Sequence, residues 1–252
     1  MSNTSRRSFI RQSALIGSAV SITSILKARN LSDTPGIGTD AKILFQGDSI
    51  TDGNRTRDND WNHIMGHGYA YLIASRLWYD HPEKKFHFFN RGISGNKVPD
   101  LAARWQTDTI DIKPDVLSIL IGVNDVLASM NDPEKYSTEI YETGYRTLLR
   151  QTKDALPNIK LVICGPFVLP VDRVKENWDK WNTEVTKRGV VARKIAQEFN
   201  AVFVDFQQAF NDALAKAPAD YWIWDGVHPM PAGHELMARH WLKVVTQKVG
   251  LV

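Results

Sequence analysis

Ser49 stands in Gly47-Asp48-Ser49-Ile50-Thr51, directly after the apolar run Ile43-Leu44-Phe45. The run reads as a strand, and the serine as the point where it turns into a loop. About 180 residues on, Asp225-Gly226-Val227-His228-Pro229 sets a carboxylate and an imidazole three positions apart, in a segment that Pro229 and Pro231 keep out of regular structure. A serine hydroxyl becomes a nucleophile when a base takes its proton, and that base needs a partner to hold its ring. Ser49, His228 and Asp225 are the residue types for those three tasks, in chain order Ser, Asp, His. They point to a hydrolase.

Either piece alone carries little, since Gly-Asp-Ser is usually a turn and Asp-x-x-His usually a surface loop. Two further segments strengthen the reading, each a polar, glycine-containing cluster after a β-like run. Phe86-His87-Phe88-Phe89 leads into Asn90-Arg91-Gly92-Ile93-Ser94-Gly95-Asn96, and Val116-Leu117-Ser118-Ile119-Leu120-Ile121 leads into Gly122-Val123-Asn124-Asp125. Loops of this kind meet along one rim of a parallel sheet, the rim where α/β proteins bind ligands.

These blocks resemble the SGNH hydrolases of the GDSL esterase/lipase superfamily, with Ser49, Gly95, Asn124 and His228 at the four name-giving positions. Within that superfamily the chain is most similar to bacterial acetylxylan esterases. The likeness runs from about residue 42 to about residue 241 and takes in Asp100-Leu101…Arg104-Trp105, Trp224-Asp225…Val227-His228-Pro229 and Ala232-Gly233-His234. It implies that Ser49 attacks the ester carbonyl, His228 relays the proton, and Asp225 holds the imidazole ring. The tetrahedral oxyanion then needs donors already aimed at it. The backbone N–H groups of Ser49 and Gly95 and the Asn124 amide suit that role. Gly92 competes for the backbone part, and the family alignment selects Gly95. Asn124 as an ordinary loop asparagine and Asp125 as a helix cap remain open alternatives.

Other residues invite a role. Trp222 and Trp224 flank the Asp225–His228 loop and offer faces for a sugar ring, although core packing is the ordinary fate of tryptophan. Arg55 and Arg57 follow the serine loop and are candidates for contact with substrate hydroxyls, Arg57 above all, against the commoner solvated surface arginine. His63 and His67 have the spacing of a metal pair on a helix, but Gly66 and Gly68 disfavour the helix and no His-Glu-x-x-His motif is present. No metal and no cofactor is expected. His81 and His87 read as a loop and a strand position, and His234 and His240 as structural. Cys164, at a buried strand end with no intrachain partner, reads as core filler.

The elements that must position these residues alternate. Strand-like runs cover 43–46, 86–89, 116–121, 160–164 and 202–205, and amphipathic stretches cover 68–79, 98–107, 136–155, 178–199, 207–215 and 231–249. The alternation predicts a three-layer α/β/α sandwich on a five-stranded parallel sheet, and the resemblance implies a flavodoxin-like strand order. Short connections leave little room for a lid over a long acyl channel, which favours a small acyl group.

The net charge of +3 comes from the N-terminus. Residues 1–40 hold five of the 31 basic residues and two of the 28 acidic ones, leaving 26 of each in 41–252. A balanced domain argues against nucleic acid as partner. Ser5-Arg6-Arg7-Ser8-Phe9-Ile10-Arg11 resembles a twin-arginine export motif, and the apolar stretch of about 13–26 is too short and too polar for a permanent membrane span. Residues 1–40 are therefore expected to form an export signal with a short linker, and 41–252 the catalytic domain, destined for the periplasm or the exterior. The expected partner is an acetylated saccharide; the assembly state, a homo-oligomer included, is left open. Competing readings are an esterase of the same chemistry with another substrate (lysophospholipase, arylesterase or sialate O-acetylesterase type) and an inactive carbohydrate-binding relative.

Overall fold

The computed structural model describes residues 36–252 apart from residue 59; the arginine motif and the apolar stretch behind it lie outside the described residues. Five short strands, β1 (Lys42–Gly47), β2 (His87–Asn90), β3 (Val116–Leu120), β4 (Lys160–Cys164) and β5 (Val202–Val204), form one parallel sheet in the order β2-β1-β3-β4-β5. This is the flavodoxin-like order. Because side chains alternate along a strand, Ile43 and Phe45 enter one core and Leu44 the other.

Ten α-helices are seen among the described residues: α1 (Ser49–Asp52), α2 (Tyr69–Asp80), α3 (Val98–Trp105), α4 (Val123–Asn131), α5 (Thr138–Ala155), α6 (Asp172–Glu176), α7 (Trp178–Glu198), α8 (Phe206–Ala213), α9 (Ala219–Trp222) and α10 (Pro231–Val249). α2, α8 and α10 cover one face of the sheet; α3, α5 and the C-terminal half of α7 cover the other. Each long helix buries one stripe, as α5 does with Tyr141, Tyr145, Leu148, Leu149 and Thr152. Pro231 opens α10, and Gly250, at φ 69°, ends it in the left-handed conformation glycine tolerates. Ile37 is buried beside this end and donates its N–H to the Gly250 carbonyl.

The expected strands are all present, with ends displaced by a residue or two. Four short helices, α1, α4, α6 and α9, were not expected. α4 is concealed by Gly122-Val123-Asn124-Asp125, which reads as a loop. Gly122 at φ 136° lets the chain pass from β3 into α4 within a few residues, and Asp125 lies in the helix's first turn, where the helix dipole favours a carboxylate. Cys164 is buried on the core side of β4, and burial pushes its thiol up to about 12, so it is unreactive filler. Among the described residues no helix is long and apolar enough to cross a membrane.

Candidate active site

α1, the β2–α3 loop, the start of α4 and the loop after α9 come together at the C-terminal rim of the sheet. Ser49 opens α1, where Asp48 caps the helix by accepting from the Ile50 N–H at 3.0 Å. The Ser49 hydroxyl lies 2.8 Å from His228 Nε2, and His228 Nδ1 lies 2.7 Å from Asp225 Oδ2. Ionised Asp225 can only accept, which places the ring proton on Nδ1 and leaves Nε2 as acceptor for the serine proton. Asp225 Oδ1 accepts from the backbone N–H groups of Val227 and His228 at 3.0 and 2.7 Å. Burial alone would raise the Asp225 carboxyl; the His228 ring, these two N–H groups and the His228 charge outweigh it and bring it down to about 2.

The loop that holds this pair closes on itself. Ile223 and Pro229 form an antiparallel bridge, and the Trp224 N–H donates to the His228 carbonyl at 3.1 Å. Gly226, at φ 86°, sits so close to α6 that a Cβ would lie 2.4 Å from the Val174 side chain. Sequence reasoning missed Arg173 of α6. Its Nη2 donates to Asp225 Oδ2 at 3.0 Å, the oxygen already bonded by His228. Nothing local in the sequence signals a partner 52 residues away.

The two competing glycines separate cleanly. A Cβ on Gly92 would lie 2.3 Å from the Asp52 nitrogen, and the Gly92 N–H is taken by Asn90 Oδ1 at 2.9 Å. Gly95, at φ 82°, faces open space. Among the described residues neither the Ser49 nor the Gly95 backbone N–H has a partner. Asn124 Nδ2 donates to the Asn96 carbonyl at 3.2 Å, which ties α4 to the Gly95 loop and leaves the second amide hydrogen free. Arg104 of α3 adds bonds to Asn96 Oδ1 at 2.9 Å and to the Arg91 carbonyl at 2.8 Å. Asp125 Oδ1 accepts from the Val98 N–H at the start of α3, and burial pushes its carboxyl up to about 6.

Trp224 is 58% exposed and its ring stacks against that of His228, 22° from parallel with centroids 5.9 Å apart. Trp222 is half-buried, packs on the core and donates to the Ala217 carbonyl at 3.2 Å. Arg57 is held by a two-pronged ion pair to Asp52 (3.2 and 2.7 Å), and Asp52 in turn accepts from the Ser94 N–H at 3.1 Å. His63 is exposed and bonds Asp60 at 2.7 Å, in a turn rather than a helix. His234 Nδ1 accepts from the Tyr69 N–H at the start of α2, and burial brings its ring down to about 4, so it stays neutral. Among the described residues no three His, Cys, Asp or Glu side chains gather as a metal site requires. Volume does not mark this site: a cavity of about 1200 Å³ lies at the opposite rim, lined by strand starts such as Lys160 and Val202.

The chain belongs to the GDSL-like lipase/acylhydrolase family, whose pattern it matches over residues 45–236. It is 38% identical over 216 residues to an acetylxylan esterase of Geobacillus stearothermophilus, a match covering 83% of this chain and 95% of that one. The crystal structure of an acetylxylan esterase from the same organism superposes with a TM-score of 0.73 at 36% identity, over 82% of this chain and 94% of that one. A GDSL-like lipase of Parabacteroides merdae superposes with a TM-score of 0.80 at 42% identity, over 84% of this chain and 99% of that one. The protein is thus a serine ester hydrolase of this family, resembling acetylxylan esterases.

Proposed function

We propose that this protein is an exported esterase that removes O-acetyl groups from a saccharide through Ser49, His228 and Asp225. The observation that carries the reading is the continuous chain from the Ser49 hydroxyl through His228 to Asp225, with contacts of 2.8 and 2.7 Å. Ser49 attacks the acetyl carbonyl as His228 Nε2 takes its proton, and Asp225 stabilises the imidazolium that forms. The oxyanion is received by the Ser49 and Gly95 N–H groups and the free Asn124 amide hydrogen. His228 then returns the proton to the sugar oxygen as it leaves, and water repeats the sequence on the acetyl-enzyme.

Relatives support this reading. Catalytic variants of the Geobacillus acetylxylan esterase replace a serine, an aspartate and a histidine by alanine, the three residue types assembled here. Trp224, exposed beside His228, offers a face for a sugar ring at the point where the leaving alcohol departs. Export by the twin-arginine route, with residues 1–40 as signal and linker and 41–252 as the catalytic domain, rests on the arginine motif alone.

The test is a substrate panel. Acetate release from acetylated xylan and p-nitrophenyl acetate is expected, with turnover falling steeply from acetyl to butyryl and longer esters. Efficient fatty-acid release from lysophospholipid or octanoyl esters would reassign the protein to the lipase-like side of its family.

A further inference from the structure

A second cavity, of about 270 Å³, lies between the segment that follows α1 and the end of β2, and is lined by Arg55, Thr56, Arg57, Asp58, Trp61 and Arg91 among others. Its charge is unbalanced. Arg57 is neutralised by Asp52, as described above. Arg91 comes no nearer to a carboxylate than 3.9 Å, at Asp108, and Asp108 is held more closely by Arg104 at 2.9 Å. Arg55 is only 9% exposed and makes no ion pair among the described residues; burial brings its guanidinium down to about 10, outweighing the charges of Asp52 and Asp108 that reach it. It spends two of its N–H groups on the Gly92 and Thr56 carbonyls, at 3.1 and 3.4 Å. Three more remain on a guanidinium that carries five. Asp58, exposed at the rim, is the one carboxylate on the lining.

A guanidinium taken out of water with no carboxylate bonded to it is costly, and an anion that meets it recovers part of that cost. Guanidinium N–H pairs fit a carboxylate or phosphate in two-pronged geometry. Two other features narrow the anion. Trp61 is 65% exposed on the same wall, a flat aromatic face of the kind that receives the apolar side of a pyranose ring. Thr56 also lines the cavity, and its Oγ1 is buried without a hydrogen-bond partner. The volume suits one sugar rather than a chain.

The geometry points to a subsite for a uronic acid residue of an acidic saccharide, its carboxylate on Arg55 and Arg91 and its ring on Trp61. This deepens the saccharide reading and rests on it. The walls of the cavity are the Arg55–Asp58 segment after α1, Trp61 and Ile64, and the end of β2 with Arg91, so a bound uronate sits beside the segments that lead from Ser49 and toward Gly95.

The experiment compares paired acetylated xylo-oligosaccharides that differ only by one glucuronic acid branch, reading kcat/KM for each and the acidic-to-neutral ratio. Arg55 is buried, so its replacement tests folding as well; Arg91, about one-third exposed, is the cleaner variant. The expected ratio is about tenfold in favour of the acidic substrate, falling toward one in Arg91→Gln, partly retained in Arg91→Lys, and shrinking as salt is raised. Trp61→Ala lowers the ratio too. A wild-type ratio near one, or a ratio that survives Arg91→Gln, overturns the subsite while leaving saccharide deacetylation intact. Turnover of p-nitrophenyl acetate with neither saccharide cleaved overturns the saccharide reading itself. A Trp61→Ala protein with an unchanged ratio but an altered oligomeric state would make this surface a subunit contact instead.

Discussion

Ser49 is held by bonds that cross the sequence, whereas His228 is held mostly by bonds within its own loop, which the Leu169 N–H and Arg173 tie to the rest of the fold at Gly226 and Asp225. Asn90, at the end of β2, donates to the carbonyls of Thr51, Asp52 and Met65 at 2.7, 3.2 and 3.0 Å and accepts from Gly92. Asp52 reaches Ser94, and Asn124 reaches Asn96. The proposed nucleophile and oxyanion donors are therefore fixed by three separate segments, and most of these bonds are out of water. The Asp225–His228 loop relies on contacts two and three residues apart, on the bridge from Ile223 to Pro229, and on α6 packed beneath Gly226. The difference suits the proposed division of labour: the oxyanion side must not move as charge develops, while the base takes up and returns a proton twice in each cycle.

The first way to break the comparison is chemical. Ser49→Ala and His228→Ala should each lower kcat by about 10⁴-fold or more, and the double variant should be little worse than either, because the two act as one unit. Burst and steady-state kinetics on p-nitrophenyl acetate measure this, and losses that multiply would refute a shared step. Asn124→Ala comes next, with about 10²–10³-fold lost from kcat and little change in KM, since its bond strengthens only as the oxyanion forms. A raised KM at normal kcat would make Asn124 a substrate-binding residue.

The same contrast explains what could be read from the sequence. Asp225 and His228 were legible because their partnership is local, and Ser49 because a strand visibly ends there. The parallel sheet followed from the alternation of apolar runs. The supports of the serine side, Asn90 and Arg104, were not legible, and neither was Arg173 beside Asp225, because all three act on partners that only the fold brings near. Gly92 and Gly95 could not be told apart on physical grounds alone, since one turn contains both. Only the fold shows that Gly92 packs on Asp52 while Gly95 faces open space. α4 went unseen because its first turn is made of residues that also make loops.

A second break is mechanical. Asn90→Ala strands the buried Thr51 and Met65 carbonyls and the Gly92 N–H, while the Asp52 carbonyl keeps the Arg55 N–H, and should cost about 2–4 kcal/mol of stability, along with much of kcat. Trp224→Ala, on the exposed face of the His228 loop, should change stability by no more than about 0.5 kcal/mol and be felt mainly in KM for saccharides. Urea midpoints on the two variants decide it; equal destabilisation would mean that the two halves are not built differently.

The smallest expected effect separates the halves by pH. Burial pushes the Asp48 carboxyl up to about 7 from an ordinary 3.8, despite the Ile50 N–H and the nearby His228 charge. The folded protein therefore holds a proton there that the unfolded chain has released between about pH 4 and 7. This stabilising contribution is complete below about pH 4 and is lost as pH rises through about 7. Asp225, brought down to about 2, has the opposite sign: its contribution is complete above about pH 4 and is lost as pH falls through about 2. The serine side should thus weaken toward alkali and the histidine side toward acid. Asp48→Asn keeps the oxygen that caps α1 but cannot titrate, so it should remove about 2 kcal/mol of the stability lost between pH 5 and 8 and leave the acid limb unchanged. Urea unfolding of wild type and variant across pH 2–8 measures both limbs. An Asp48→Asn protein with the wild-type alkaline slope would show that Asp48 is already ionised in the fold and that the serine loop is wetter than its packing indicates.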